Sequence, residues 1–228
     1  GGGGGRAVNS DCLHLAFSES LEREAAEATR DMKAVLVRPH NTAIVQALVD
    51  AFGAVHKAAC GADTSGTTAL VALMVGKAEL VEPLHLGPAV YIANAGDTRA
   101  VLSRQGIARV LTIDHKPTLT TEAARIWENG GFVLGGRVDN VLAVSRALGD
   151  SILPSVCPLP DVHFLPLTPQ DDFLILAVDG VWDTVSPQAA VDLVRSERDV
   201  GVACRKLRDL ALACGSTDNI SLVIVPLQ

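Results

Sequence analysis

Leu13, Phe17, Leu21 and Ala25 recur at every fourth position among glutamates and arginines, which predicts an amphipathic helix early in the chain. A second helix is expected after a cap at Asn41 or Thr42. Ile44, Leu48 and Phe52 form its buried stripe, and Val45, Val49 and Val55 widen it. The pattern then changes to short apolar runs. Residues 67–75 suit a buried strand, and residues 89–94 and 99–104 read as two strands of a hairpin with Ala95-Gly96-Asp97-Thr98 at its tip. Gly106 turns the chain into a further strand at 107–111. A helix over 121–129 is closed by Gly130-Gly131 at the left-handed C-terminal position, and strand-like pieces follow at 132–134 and 141–144.

Pro154, Pro158, Pro160 and Pro166 mark an irregular surface segment. Residues 172–178 form a strand ending on Asp179-Gly180. Ser186-Pro187 opens a helix to about residue 196, a second helix covers 200–213, and 219–225 is the last strand. Helices, strands, a helix, strands, helices and a strand in this order give an α+β chain with mainly antiparallel sheet, not a doubly wound nucleotide fold.

Composition narrows the function classes. The 228 residues fit one large domain spanning the whole chain, and 48% hydrophobic residues suffice for a substantial core. A formal charge of −7 argues against a nucleic-acid partner, which calls for a basic stripe. The best apolar run, residues 173–178, is strand-sized, so no membrane partner is expected. Five scattered cysteines without a Cys-x-x-Cys pair read as buried thiols of an intracellular protein, cytoplasmic or nuclear. The chain opens on five glycines, a linker or the remnant of a motif, with no signal-peptide pattern.

Three aspartates share one setting. Asp97 follows Gly96 at the predicted tip, Asp179 ends an apolar strand before Gly180, and Asp218 lies in Gly215-Ser216-Thr217-Asp218-Asn219 just before the last strand. Each is a short acid at a sheet edge with small neighbours. Turn chemistry explains any one of them. Together they suggest a hard cation, and oxygen-only ligation points to Mg2+ or Mn2+. Ser65-Gly66-Thr67-Thr68 lacks a Walker lysine and reads as a strand entry rather than a phosphate nest. His115 reads as a solvated loop histidine, Ser145 has no nucleophile elbow, and Trp127 and Trp182 read as core residues.

Six segments resemble the type-2C, metal-dependent protein phosphatases in that family's order. They are Asp63-Thr64-Ser65-Gly66-Thr67-Thr68-Ala69, Ala93-Asn94-Ala95-Gly96-Asp97-Thr98-Arg99 and Asp114-His115-Lys116-Pro117, then residues 142–150, Ala177-Val178-Asp179-Gly180-Val181-Trp182-Asp183 and residues 215–221. The resemblance implies a four-layer α/β/β/α sandwich with a metal cluster at one end. It implies that Asp179 and Asp218 bind a first Mg2+ or Mn2+, that Asp97 holds a looser ion together with Asp179, and that Asp183 supports the site. The reaction implied is in-line attack of a metal-bound hydroxide on phosphoserine or phosphothreonine of a protein substrate, by a monomer.

Two departures stand out. The family's upstream strands, with a phosphate-binding arginine and a Glu-Asp pair, are not in this chain. Gly4-Gly5 fit the last glycines of the family's Asp-Gly-His-Gly-Gly motif, which puts Gly1 and Gly3 where the bridging aspartate and the acid histidine belong. The domain is therefore expected to be incomplete at its N-terminus, with no catalytic histidine or arginine among these residues. Very weak hydrolysis of p-nitrophenyl phosphate by these residues alone is the corresponding expectation, and a pseudophosphatase serving as a binding or scaffolding module is the alternative. The segment after Asp150 reaches the next motif quickly, so the flap there is expected to be short or irregular.

Overall fold

Two antiparallel sheets carry the architecture, each centred on strands that are apolar on both faces. The computed structural model describes residues 42–62, 64–76 and 88–227. The predicted first helix, the opening glycines and Asp63 lie outside the described residues. The elements are α1 (Thr42–Ala62), β1 (Gly66–Thr67), β2 (Ala69–Val75), β3 (Ala89–Ala95), β4 (Arg99–Arg104), β5 (Ile107–Val110), α2 (Thr120–Glu128), β6 (Val133–Leu134) and β7 (Arg137–Val138). They continue with β8 (Leu148–Gly149), β9 (Asp161–Pro166), β10 (Asp171–Ala177), α3 (Asp179–Trp182), α4 (Pro187–Arg195), α5 (Val200–Ala213) and β11 (Leu222–Pro226). The expected α+β class holds.

One sheet has the order β2-β3-β9 and the other β11-β10-β4-β5, all pairs antiparallel. Helices α4 and α5 cover one face of the four-stranded sheet. Val101, Phe173, Ile175 and Ile224 meet Val191, Val194, Ala203 and Leu207 there. Helix α1 covers the other sheet through Phe52 and Leu48, which pack on Ala93, Ala95 and Tyr91. By the two-residue alternation of strands, Val90 and Ile92 of β3 and Leu102 and Leu174 of β4 and β10 point away from these helices, yet they are fully buried. That is the signature of two sheets packed face to face, with helices outside.

The predicted hairpin of residues 89–104 is not one. β3 and β4 belong to different sheets, so Ala95–Thr98 is a crossover from one to the other. Both hydrogen-bonding edges of β3 are taken, by β2 and by β9, which leaves none for β4. Two further expectations change. β9 lies inside the stretch read as irregular, with Phe164 and Leu165 buried against β3; the prolines around it bound the strand without breaking it. Residues 141–144 form no named strand and contribute a bridge between Val138 and Leu142.

The strand predicted over 67–75 is divided at Thr68 and is half-exposed rather than buried. Val55, which was to widen the stripe of α1, is exposed, as is Trp127, read as core. Residues 173–178 are not the longest apolar element: by length and composition α1 is long and apolar enough to cross a bilayer. The expected helix ends are well formed. Ser186 accepts a hydrogen bond from the Ala189 N–H with Pro187 at the first position of α4. Gly131 and Gly130 donate to Ile126 and Trp127 across the end of α2, the Schellman pattern.

Candidate metal centre

Register alone gathers the predicted acids at one end of the four-stranded sheet. In the antiparallel pairs, Ala177 at the end of β10 stands opposite Arg99 at the start of β4 and Leu222 at the start of β11. Asp179 leaves the sheet two residues beyond Ala177, Asp97 lies two residues before Arg99, and Asp218 precedes Leu222 by one turn of loop. All three loops therefore emerge from the same edge.

Gly180 makes the approach of the Asp179 and Asp218 loops possible. A Cβ there would lie 2.2 Å from the Asn219 carbonyl oxygen and 3.5 Å from the Asp218 Cβ. Any larger residue would push the two loops apart. The Ser216 hydroxyl locks the contact by donating to the Gly180 carbonyl at 2.6 Å. Trp182 anchors the first turn of α3 from below. Its indole N–H reaches the carbonyls of Ala177 and Arg99, and the Arg99 guanidinium lies 5.8 Å from the ring centroid. The backbone N–H groups of Gly180 and Asn219 hold one oxygen each of Asp179 and Asp218.

Asp97 is set by a different device. Gly96 takes φ of +121° in close contact with Thr68, where a Cβ would meet a side-chain carbon at 2.3 Å. His115, read from sequence as solvated, is fully buried under this turn. Its Nδ1 accepts the Gly96 N–H at 3.1 Å, its own N–H donates to the Gly96 carbonyl at 3.0 Å, and its Nε2 meets Asp161 at 3.1 Å. Asn94 adds a hydrogen bond to the same carbonyl. Lys116 donates to Asp97 Oδ2, while Arg99 is engaged with both oxygens of Asp114 at 3.1 and 2.8 Å.

The acids act on one another. Burial raises the Asp179 carboxyl above the ordinary range, and the negative charges of Asp97, Asp183 and Asp218 raise it further. Asp183 is raised first by burial as well, with Lys116 opposing the push from Asp97 and Asp114. The Lys116 ammonium, which burial would lower, is instead raised by its bond to Asp97.

A model of the family described as Protein phosphatase 2C matches residues 13–220, most of the chain. The chain belongs to that family. Its relatives include Protein phosphatase 2C homolog 2 of Schizosaccharomyces pombe, 42% identical over 183 residues, which covers 72% of this chain and 47% of the relative. The protein of the same name in Hypocrea jecorina is 40% identical over 183 residues, covering 72% and 39%. The chain thus spans less than half the length of these curated relatives. The fold is shared with the crystal structure of serine-threonine phosphatase 2C from Toxoplasma gondii, at a TM-score of 0.69, 24% identity, and coverage of 81% of this chain and 67% of that one.

The donor chemistry of the site fits the Mg2+ or Mn2+ expected for a protein phosphatase 2C. Oxygen donors predominate, and the mutual repulsion at Asp179 is what a divalent cation relieves. Among the described residues, however, no three His, Cys, Asp or Glu side chains stand together as a complete ligand set. Sequence reasoning missed His115 and Lys116 as parts of the site. The available signal was the placement of Asp114-His115-Lys116-Pro117 directly after an apolar strand that pairs beside Asp97.

The four described cysteines are free thiols, as expected, but none is buried: Cys60, Cys157 and Cys204 are half-buried and Cys214 is exposed. Ser65-Gly66-Thr67 is a strand entry, as expected, with β1 paired to β8.

Proposed function

We propose that this chain carries most of the metal centre of a protein serine/threonine phosphatase, acting with Mg2+ or Mn2+ on phosphoserine and phosphothreonine in protein substrates. The observation that supports this is the gathering of Asp97, Asp179 and Asp218 at one end of the four-stranded sheet, where the charges of Asp97, Asp183 and Asp218 act on Asp179 and Lys116 is paired with Asp97.

Asp179 and Asp218 would hold one ion, Asp97 together with Asp179 a second and looser one, and Asp183 would add negative charge at the rim. When bound, such ions acidify water and screen the negative charge of a phosphate ester. The chain's own residues supply position. Gly180 and Ser216 fix the separation of Asp179 from Asp218, Trp182 holds the first turn of α3, and His115 fixes the turn that carries Asp97.

Calorimetric titration of the chain with Mn2+ tests the assignment directly. Binding should disappear in Asp179→Asn and weaken strongly in Asp218→Ala. Release of phosphate from a phosphothreonine peptide, however slow, should require the ion and vanish in the same Asp179→Asn variant. Unchanged Mn2+ binding in both variants would overturn the reading.

A further inference from the structure

We propose that Lys116 is a resident counter-cation that competes with the divalent ion for Asp97, so that arrival of the ion releases the ammonium group. This rests on the reading of Asp97 as a metal ligand and adds to it a residue that sets how readily the looser ion binds.

The argument starts from burial. The Asp97 side chain is only 7% exposed, and a carboxylate taken out of water needs a partner. Arg99 is the nearby cation of fixed geometry, but its Nε and one terminal nitrogen are engaged by the two oxygens of Asp114. The charge of Asp97 is met by Lys116 instead.

The backbone at both ends of this ion pair is pinned. His115 exchanges two hydrogen bonds with Gly96, Asn94 bridges the carbonyls of Gly96 and Ile113, and the peptide N–H of Lys116 donates to the Asp114 carbonyl at 2.9 Å. What remains movable is the four-carbon stem of Lys116, whose side chain is 36% exposed and has water to swing into. A cation binding Asp97 Oδ2 needs the position that the ammonium holds. Two cations on one carboxylate repel each other, so binding of the ion and retention of the ion pair are antagonistic, and each weakens the other by the same factor.

Two measurements on the full chain decide it. In calorimetric titrations with Mn2+, the ion that is lost in Asp97→Asn should bind about three- to tenfold more tightly in Lys116→Met, the range a half-buried ion pair commands. If Asp97→Asn removes no ion, the ligand reading itself fails and this proposal with it. If Asp97→Asn removes an ion that Lys116→Met binds no more tightly than the wild type, competition is overturned while the ligand reading stands.

The second measurement needs no variant. Acylation of Lys116 by an amine-reactive ester, followed by mass spectrometry, should accelerate several-fold on addition of Mn2+, because the ammonium leaves Asp97. Labelling that is unchanged or slowed by Mn2+ would overturn the proposal.

Discussion

Two clusters of acids lie on either side of His115, and they are built in opposite ways. On one side, Glu122 is 2% exposed and fully compensated. Arg146 donates to both its oxygens, Arg125 and the Ser145 hydroxyl donate to Oε2, and Arg146 reaches on to Asp161 at 2.8 Å. Burial would raise the Glu122 carboxyl, but these hydrogen bonds outweigh it and pull it down to about 2. Asp161 is likewise held well below the carboxylate range: its bond to His115 and the charge of Arg146 overcome its burial. On the other side, Asp179 is raised by burial and by its acidic neighbours. The same residue type therefore marks two different functions. Acids enclosed by arginines hold α2, β9 and the crossover turn together, and Asp179, raised by its acidic neighbours, is where the proposed cation would act.

Glu122→Ala breaks the first cluster most severely. It strands two guanidiniums that also serve the carbonyls of Ser145, Ser155 and Leu159. Removing one partner of such a buried network costs about 3–5 kcal/mol, which urea denaturation should show as a lower midpoint at unchanged slope. Mn2+ should restore none of it, since Glu122 is not among the acids proposed to hold the ion. Rescue by Mn2+ would erase the distinction between the two clusters.

Acid should reach the same cluster without mutation. The folded Glu122 carboxyl, at about 2, lies below its ordinary value of 4.5, so it contributes stability in full above pH 4.5. That contribution is lost as the pH falls from 4.5 through 2, and it amounts to on the order of 3 kcal/mol. The Asp161 shift has the same sign and continues the loss at lower pH. In Glu122→Gln the slope of stability against pH in this window should flatten, and an unchanged slope would locate the acid sensitivity elsewhere.

The sequence disclosed these clusters unequally, for a physical reason. Asp97, Asp179 and Asp218 each end or precede an apolar run, so the local pattern places them at strand edges before any tertiary contact is known. Helix α4 was legible for a similar reason, since Ser186 caps it within three residues of its own position; the Asp199 cap of α5 is local in the same way. Glu122, Arg146 and Asp161 lie on a helix, a loop and a strand, and they meet only after β9 has paired with β3. No spacing rule covers that. His115 was misjudged for the same reason: its loop is polar in sequence but is roofed by Gly96 and Asp161 in space. The crossover at Ala95–Thr98 was hidden because its turn residues suit a hairpin equally well.

His115 joins the two clusters and so offers a sharper cut. His115→Leu keeps the bulk, but it leaves the buried Gly96 N–H and one bond of Asp161 unsatisfied, a loss of about 1–3 kcal/mol. A second readout separates this from general destabilisation. Hydrogen exchange at the Gly96 amide should speed up more than at β10 amides, and the Mn2+ ion assigned to Asp97 should bind more weakly while the one between Asp179 and Asp218 is retained. His115→Asn, which can still accept from Gly96, should recover part of both losses. Equal losses at both ion sites would mean that His115 supports the whole sheet edge rather than the crossover turn.

The smallest expected change in stability is at Asp179, and its sign carries the comparison. Asp179→Asn removes a charge that burial and three acidic neighbours oppose, and its remaining oxygen can still accept the Gly180 N–H. Without metal, the variant should be as stable as the wild type or slightly more so, by less than about 1 kcal/mol, because the charges repelling one another are partly exposed to water. Adding Mn2+ should raise the melting temperature of the wild type through ligand linkage and leave the variant unmoved. The contrast with Glu122 is then complete in one thermal-shift series: neutralising a compensated acid lowers stability in every buffer, whereas neutralising an uncompensated one removes only what the cation contributes. Were Asp179→Asn to destabilise the metal-free chain as much as Glu122→Gln does, Asp179 would belong with the acids that hold the fold.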